Sequence, residues 1–363
     1  MEKKFRKIGV LTSGGDAPGM NAAVRAITCA GLAKGVEIMG IYEGYSGLIR
    51  GNIQPLCDKD VSGIIDRGGT ILYSARCLEF IEEPGMQKAI ESCKNNEIDG
   101  IVAIGGDGTF RGAADLTERG IPCIGIPGTI DNDITSTDYS IGFDTAMNTV
   151  VSMVDRLRDT CESHARCNVV EVMGRDAGYI ALESGIAVGA SAVALVEIPF
   201  NEKAAIEKIK KAKDAGKRSF IVIIAEGIPL DLAEKDAPFY SENLAKRIQK
   251  ETGVETKFAR LAHVVRGGSP SLRDRLLASK MGHAAVELLL AGKSSLVVCE
   301  QKGEIVPMDI GYALTLDRMY KDKLKECELN KYSQQEIESM RAFCKAKHAE
   351  FRQMYEIANA LAR

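Results

Sequence analysis

Residues 101–109 read IVAIGGDGT, and residues 123–133 read CIGIPGTIDND. In each segment a short apolar run is followed at once by glycines, a hydroxyl and one or more carboxylates. Such a run is typical of a buried strand, and the glycines after it are typical of a tight loop. This combination of residues is suited to binding magnesium and phosphate and to accepting a proton from a hydroxyl. The two segments therefore favour a phosphoryl-transfer enzyme built on a parallel sheet.

The rest of the chain continues the alternation of apolar strands and amphipathic helices, which indicates a parallel sheet covered on both faces. The pattern restarts after a long helix near residues 145–160, so we expect an α/β protein with two domains. The predicted strands are 7–12, 37–42, 101–105, 123–126, 168–173, 193–198, 220–225 and 296–299. The predicted helices are 18–34, 145–160, 202–215, 241–252 and 273–291. Ligands of open parallel sheets bind beyond the carboxyl ends of the strands, where all these glycine loops fall.

The composition excludes several other classes of protein. The chain has 363 residues, 45% of them hydrophobic, with a net charge of −3. Such a charge gives no basic field for nucleic acid, and we expect no membrane span. Ten cysteines without a Cys-x-x-Cys pair, and no secretory signal, favour the cytoplasm. The four histidines lack zinc-ligand spacing.

The first glycine loop, residues 12–21, reads TSGGDAPGMN between a predicted strand and a predicted helix. Glycines permit tight turns, and the exposed amides of a helix start can hold an anion. The loop is neither a P-loop nor a dinucleotide fingerprint. A simple turn capped by Asp16 is about as plausible as phosphate binding when this loop is taken alone.

Each of the other two loops supplies carboxylates with a possible chemical role. Asp107 could bind Mg²⁺ through few direct contacts, because magnesium keeps several waters; the alternative is a helix N-cap. Asp131 could take a proton from an acceptor hydroxyl, and Asp133 could hold magnesium or orient the loop. An Asx-rich turn is the alternative for these two residues, and we consider it less favoured.

Several arginines could neutralise phosphate oxygens, since the planar guanidinium fork suits them. Singly, each is better explained as a surface residue. The best placed are Arg175, directly after a predicted strand, and Arg266 in the segment HVVRGGSP. Glu226, after the strand at 220–225, could accept hydrogen bonds from sugar hydroxyls.

Taken together, the motifs resemble those of the phosphofructokinase family. The matching segments occur in the same order and cover roughly residues 7–330. They are GGDAPGMN at 14–21, GGDGT at 105–109, PGTIDND at 127–133, MGR at 173–175 and RGGSP at 266–270. The resemblance implies two similar Rossmann-like domains with mainly parallel sheets and an active site in the cleft between them. It also implies phosphoryl transfer to the first-carbon hydroxyl of fructose 6-phosphate, and a homotetramer with sites completed across subunits.

The resemblance assigns roles by position. Asp131 would be the general base, Asp107 the ligand of Mg²⁺ and Arg175 the group that neutralises the transferred phosphoryl, with Asp133 and Thr129 beside them. The ATP site would comprise Gly14, Arg76, Cys77, Gly106, Asp107, Gly108 and Thr109. The sugar-phosphate site would comprise Thr129, Ile130, Asp131, Met173, Gly174, Arg175, Glu226, His263 and Arg266, with Arg166 and Lys257 reaching in from a neighbouring subunit.

The domain boundaries follow from the same comparison. Residues 1–142 with about 265–315 would form the nucleotide-binding domain. Residues 143–264 with about 316–332 would form the sugar-phosphate-binding domain. Residues 333–363 would form a C-terminal helical extension that exceeds the common bacterial pattern.

The phosphoryl donor can be argued from sterics. Pyrophosphate-dependent relatives typically carry Asp at the position of Gly108 and Lys at that of Gly128. An aspartate at 108 would intrude on the α-phosphate of ATP, and a lysine at 128 would add a charge suited to pyrophosphate. Both positions are glycine here, so ATP is expected. The alternatives are a pyrophosphate-dependent enzyme and, less favoured, a catalytically silent regulatory subunit that senses sugar phosphate.

Three departures from the family pattern bear on function. Lys257 replaces an arginine and so loses the bidentate fork. Cys77 stands where an aromatic residue is frequent. The bacterial effector site keeps Arg25 and Arg158 but is altered at three positions, which makes control by ADP or phosphoenolpyruvate doubtful. These positions are Cys29, Asp58 and Ser191.

Overall fold

The computed structural model describes residues 5–228 and 239–362. Its eleven strands among these residues are β1 Lys7–Thr12, β2 Glu37–Ile41, β3 Ile53–Leu56, β4 Gly100–Gly105, β5 Cys123–Pro127, β6 Cys167–Val172, β7 Ala192–Ala194, β8 Phe220–Ala225, β9 Thr256–Arg260, β10 Leu296–Gln301 and β11 Glu304–Asp309. The helices are α1 Met20–Ala33, α2 Gly44–Arg50, α3 Asp58–Val61, α4 Glu83–Asn95, α5 Asp107–Glu118, α6 Phe143–His164, α7 Tyr179–Ala187, α8 Glu202–Asp214, α9 Tyr240–Thr252, α10 Leu272–Leu290, α11 Ile310–Tyr320 and α12 Gln334–Leu361.

The chain forms two compact units. The first comprises residues 1–130, 134–145 and 266–344 and contains a seven-stranded sheet in the order β11-β10-β5-β4-β1-β2-β3. Its strands run parallel except for the antiparallel pairs β2–β3 and β10–β11. The second unit comprises residues 131–133, 146–265 and 345–363 and contains an all-parallel sheet in the order β7-β8-β6-β9.

This architecture confirms the predicted α/β fold with mainly parallel sheets. The apolar runs are buried strands, because a strand covered on both faces has no side that needs polar residues. All six residues of β4, for example, are buried, as are all six of β6 and of β8. The predicted strand at 193–198 is shorter than expected. It ends at Ala194, and beyond it the Glu197 carboxylate turns to accept the N–H of Gly178 at 2.8 Å.

Residues 316–332, assigned from the sequence to the second domain, group with the first unit. The reason is that helix α11, Ile310–Tyr320, runs across the predicted boundary and packs in the first unit, where Ile310, Ala313 and Leu314 share a core with Phe110 and Leu116 of α5. The nucleotide-binding and sugar-binding roles of the two domains remain predictions.

The C-terminal extension is one helix, α12, with a narrow buried stripe. Met340 and Cys344 pack against Leu316 in the first unit. Further along, Phe351 meets the ring of Tyr179 edge-on at 5.1 Å in the second unit. Ala342, an apolar residue of the same helix, is exposed to solvent. Within the described residues, no helix combines the length and apolarity needed to cross a bilayer.

Asp274, in the first turn of α10, organises the segment that leads into α6. The residue is fully buried, and its carboxylate accepts the N–H of Gly142 and of Thr145 at 2.8 Å each, and the Thr145 hydroxyl at 2.5 Å. These donors belong to the start of α6, where backbone N–H groups have no partner inside the helix. Asp274 therefore caps a helix that is distant in sequence.

We expect Asp274→Ala to lower the free energy of unfolding by about 3 kcal/mol, because it removes a buried carboxylate that accepts from two backbone donors and a hydroxyl. The melting temperature should fall by roughly 6 °C. Asp309→Ala is the matched comparison: it removes a cap from exposed Tyr312 N–H at the start of α11 and should cost only about 1 kcal/mol. Equal melting temperatures for the two variants would contradict the role of Asp274.

Candidate active site

The three glycine loops of the first unit leave the same edge of its sheet. Strands β5, β4 and β1 are consecutive neighbours, with Thr12 paired to Ile104 and Gly105 paired to Pro127. All three are parallel, so their carboxyl ends coincide. The loops that the sequence singled out separately are thus brought together by the strand order.

Hydrogen bonds join these loops to one another. The N–H of Ser13 donates to the carbonyl of Ile104 at 3.0 Å, and the N–H of Gly128 donates to that of Gly105 at 2.9 Å. The Thr109 hydroxyl donates to the carbonyl of Ser13 at 3.2 Å. The loops after β1, β4 and β5 are therefore connected by hydrogen bonds, one of which comes from the predicted ATP-site residue Thr109.

The glycines of this edge serve different purposes. A Cβ on Gly105 would come within 2.4 Å of the Ser13 carbonyl oxygen, so a side chain there would force the loops apart. A Cβ on Gly106 or Gly108 would meet no atom within 4 Å. Gly105 holds the framework together, whereas Gly106 and Gly108 leave open space in which a ligand can approach the backbone.

Gly128 has a packing role of its own. A Cβ there would lie 3.0 Å from Ile104 Cγ2 and 3.3 Å from Met20 Cε. Glycine at 128 is therefore already favoured by packing in the core. The open space at Gly108 is the better steric indication of whether the phosphoryl donor is ATP or pyrophosphate.

Asp107 is the first residue of α5, and its side chain is 30% exposed. The Arg111 guanidinium, one turn later, approaches both carboxylate oxygens, at 2.5 Å and 3.3 Å. No cluster of three His, Cys, Asp or Glu ligands occurs in the part of the chain that the structure describes. A single accessible carboxylate beside an open glycine loop fits Mg²⁺, which takes few protein ligands and relies on water and phosphate oxygens.

The third loop is largely shielded from solvent. Thr129 is 9%, Asp131 7% and Asn132 8% exposed. Asn132 has a φ of 50°, a left-handed conformation that asparagine tolerates better than most residues. The carbonyl of Thr129 accepts the Ser140 hydroxyl at 2.7 Å. Burial around Asp131 suits a proton acceptor, since it limits competition from water.

The segment that carries Arg76 and Cys77 is tied to the first loop. The Thr12 hydroxyl donates to the carbonyl of Tyr73 at 2.8 Å, and the Ser74 hydroxyl donates to that of Gly14 at 2.5 Å. Arg76 itself is exposed and Cys77 is half-buried. Arg266 also reaches the first loop, with its Nη1 donating to the carbonyl of Asp16 at 3.2 Å.

In the second unit, the carboxyl ends of β6, β8 and β9 gather another set of predicted residues. Met173, Gly174 and Arg175 follow β6, Glu226 follows β8, and His263 lies in the 3₁₀ turn Ala262–Arg266 after β9. Val172 pairs with Ala225, and Glu171 pairs with Arg260, so the three strand ends are level.

The backbone at Arg175 is held in an uncommon conformation. Its φ is 55°, and its N–H donates to Glu226 Oε1 at 3.0 Å. A Cβ on Gly227 would lie only 2.0 Å from the Arg175 carbonyl oxygen. Glu226, predicted as a ligand of sugar hydroxyls, thus also fixes the position of the predicted phosphoryl-stabilising arginine.

Arg166 and Lys257 lie at the other end of this sheet. Arg166 precedes β6, and Lys257 is the second residue of β9. Glu255 accepts from Arg166 Nε at 2.8 Å and from Lys257 Nζ at 2.9 Å, and these two cations lower the pKa of Glu255 to about 2. Six residues of strand, about 20 Å, separate this cluster from the edge that carries Arg175.

The structure adds residues that sequence reasoning missed. Arg111 is four residues after Asp107 on a helix, a spacing that could have revealed the pair. Ser271 and Asp274 have the spacing of a capping box, but only the fold shows that Asp274 accepts from Gly142 and Thr145. Glu255 had no sequence signal beyond being one more charged residue.

Known proteins resemble this chain over most of its length. The sequence profile of the family described as Phosphofructokinase matches residues 7–289. A protein of Clostridium botulinum named ATP-dependent 6-phosphofructokinase is 50% identical over 320 residues, which cover 88% of this chain and 97% of that protein. One of the same name from Bacillus pumilus is 51% identical over 306 residues, covering 84% and 93%.

A solved structure shows the same fold. The crystal structure of Pichia pastoris phosphofructokinase in the T-state superimposes with a TM-score of 0.81 at 35% identity. The match covers 95% of this chain and 39% of the yeast chain, so the chain spans well under half the length of that relative.

Proposed function

The chain belongs to the phosphofructokinase family, and from this we propose that it is an ATP-dependent 6-phosphofructokinase of glycolysis. It would transfer the γ-phosphoryl group of ATP to the first-carbon hydroxyl of fructose 6-phosphate and release ADP. The observation that carries the proposal is the meeting of the loops after β1, β4 and β5 at one sheet edge. Half of the residues of two bacterial relatives named for this activity are identical.

The chemistry divides among residues of this chain. Asp131, which is largely buried, accepts the proton of the attacking hydroxyl. Thr129 and Asp133 flank it in the same loop and orient the acceptor. Arg175 stabilises the charge on the phosphoryl group in transfer, the main requirement of such reactions. Mg²⁺, when bound at Asp107, would neutralise phosphate charge and orient the donor.

The nucleotide would lie over the open backbone at Gly106 and Gly108, with Gly14, Arg76, Cys77 and Thr109 around it. The sugar phosphate would contact the predicted residues Ile130, Met173, Gly174, Glu226, His263 and Arg266. These placements follow the family pattern. The shared sheet edge in each unit supports them.

We also propose that the protein works as a homotetramer in the cytoplasm. Arg166 and Lys257 are expected in the sugar-phosphate site, but they are joined by Glu255 at the end of the sheet away from Arg175. Cations at that end are well placed to serve the site of an adjacent subunit. The ammonium group of Lys257 cannot form the bidentate contact with a phosphate that an arginine guanidinium forms. We therefore expect a weaker contact with the sugar phosphate.

Steady-state kinetics with ATP and with pyrophosphate in parallel test the proposal, and Gly108→Asp sharpens the test. An aspartate at 108 has room in the fold but would place negative charge where the nucleotide phosphates lie. We expect the variant to keep its melting temperature and to lose at least about 10-fold in kcat/KM for ATP, or 1.4 kcal/mol. For Gly108→Ala, which adds bulk without charge, we expect a kcat/KM for ATP between those of the unmodified protein and Gly108→Asp.

Turnover of the unmodified protein with pyrophosphate and none with ATP would establish the alternative donor. Absence of turnover with either donor, together with measurable binding of fructose 6-phosphate, would establish the regulatory alternative.

A further inference from the structure

Helix α11 is packed against the helix that carries the candidate metal ligand. Ile310, Ala313 and Leu314 on α11 are buried in the same core cluster as Phe110 and Ala113 of α5. Asp107 is the first residue of α5. Any displacement of α11 would therefore disturb the element that presents Asp107.

The same helix holds the backbone just after the candidate catalytic loop. Asp317 is 3% exposed, and its Oδ1 accepts the N–H of Thr135 at 2.5 Å. Thr135 is also buried and follows Asp133 by two residues. A bond from a backbone donor to a buried carboxylate is charge-assisted and therefore strong. Asp317 thus fixes the backbone two residues after Asp133, at the end of the segment that carries Asp131 and Asp133.

The C-terminal extension covers another face of α11. Leu316, Met340 and Cys344 form a buried cluster, and the Cys344 thiol lies 3.8 Å from the Leu316 carbonyl oxygen. The Thr315 hydroxyl is 3.1 Å from the hydroxyl of Tyr332. Burial raises the pKa of the Cys344 thiol to about 11, and the charge of nearby Asp317 adds to the rise. The C-terminal extension therefore packs against the same turns of α11 that carry Asp317.

We propose that Asp317 is a positioning residue for the loop of Asp131 and Asp133, and that the first half of α12 holds α11 in place for this purpose. The C-terminal extension is then a support of the catalytic machinery. This inference rests on the proposed function where the effect on kcat is measured. The effect of Asp317 and α12 on the order of the loop can be measured without substrate.

The test compares Asp317→Leu with Asp317→Asn. Leucine removes the acceptor of the Thr135 N–H, whereas asparagine keeps an oxygen in its place. For Asp317→Leu we expect kcat to fall about 10-fold with KM for ATP nearly unchanged, because one buried hydrogen bond is lost at the loop. Asp317→Asn should retain most of the wild-type kcat.

Amide hydrogen exchange provides the substrate-free readout. In Asp317→Leu, exchange of residues 131–137 should quicken by about 10-fold relative to wild type, while β8 is unaffected. Asp309→Leu is the matched control, since it weakens the start of the same helix without touching Thr135. It should lower the melting temperature without changing exchange at 131–137.

Met340→Ala tests the contribution of α12 without deleting the helix. It removes a fully buried side chain beside Leu316 and should produce the same exchange pattern in weaker form. Wild-type exchange at 131–137 in Asp317→Leu would overturn the role of Asp317, and wild-type exchange in Met340→Ala would overturn that of α12. Neither result depends on the proposed function, whose failure would appear as absent turnover in the unmodified protein.

Discussion

Asp131→Ser should lower kcat by about 10²–10⁴-fold, the range expected when a general base is removed. Serine cannot hold the proton that leaves the sugar hydroxyl, and it is small enough to be accommodated where the carboxylate lay. Because most of the proposed contacts to the sugar phosphate come from other residues, the affinity for fructose 6-phosphate should be largely kept. Steady-state kinetics with a direct binding measurement separate the two quantities.

Asp138→Asn is the matched control for charge loss in the same region of sequence. Its Oδ2 accepts the N–H of Lys302 at 2.8 Å, so the residue has a structural contact and no place in the proposed chemistry. We expect kcat within about 2-fold of wild type for this variant. If Asp131→Ser retained wild-type kcat, Asp131 would be removed as the base and Asp133 would become the candidate.

Arg175→Ala should lower kcat by about 10²–10³-fold, comparable to the removal of one preorganised donor from a transition state. The backbone of Arg175 is held by a φ of 55°, the Glu226 acceptor at 3.0 Å and close packing on Gly227, while its side chain is exposed. In the proposed role, its guanidinium acts on charge that develops in the transition state. The loss should therefore appear mainly in kcat.

Arg175→Lys discriminates charge from geometry. Lysine keeps the charge but not the planar fork, so an intermediate loss is expected if bidentate contact matters. Arg218→Ala, at an exposed position of the second unit, is the control for removal of a positive charge and should leave kcat unchanged. Equal kcat in Arg175→Ala and wild type would assign the stabilisation of the phosphoryl group to another residue.

Much of the fold was predictable because its signals are local. Apolar runs such as 101–105 and 220–225 can be buried on both faces only in a covered sheet, and the glycines that follow them mark the loops. The alternation of such strands with helices then favours parallel order, and parallel order places every loop at the same edge. Asp107, Asp131 and Arg175 could be singled out from these local patterns together with the family resemblance.

Contacts between distant parts of the chain could not be predicted in this way. Asp317 and Thr135 are 182 positions apart, and nothing near either residue indicates the other. Glu255 joins Arg166 and Lys257 only because β6 and β9 are neighbours in the second sheet. Strands β3 and β11, at the two edges of the first sheet, also lacked a strong apolar pattern.

The class of fold, the loops that carry the proposed chemistry and the family to which the chain is similar could be inferred from the sequence, because each depends on residues that are adjacent along the chain. Three further points depend on the tertiary structure. Packing against Ile104 favours glycine at 128, Arg166 and Lys257 meet at Glu255 away from Arg175, and Asp317 accepts a hydrogen bond from the N–H of Thr135. Each of these depends on which strands and helices become neighbours, and that is fixed only when the whole core is packed.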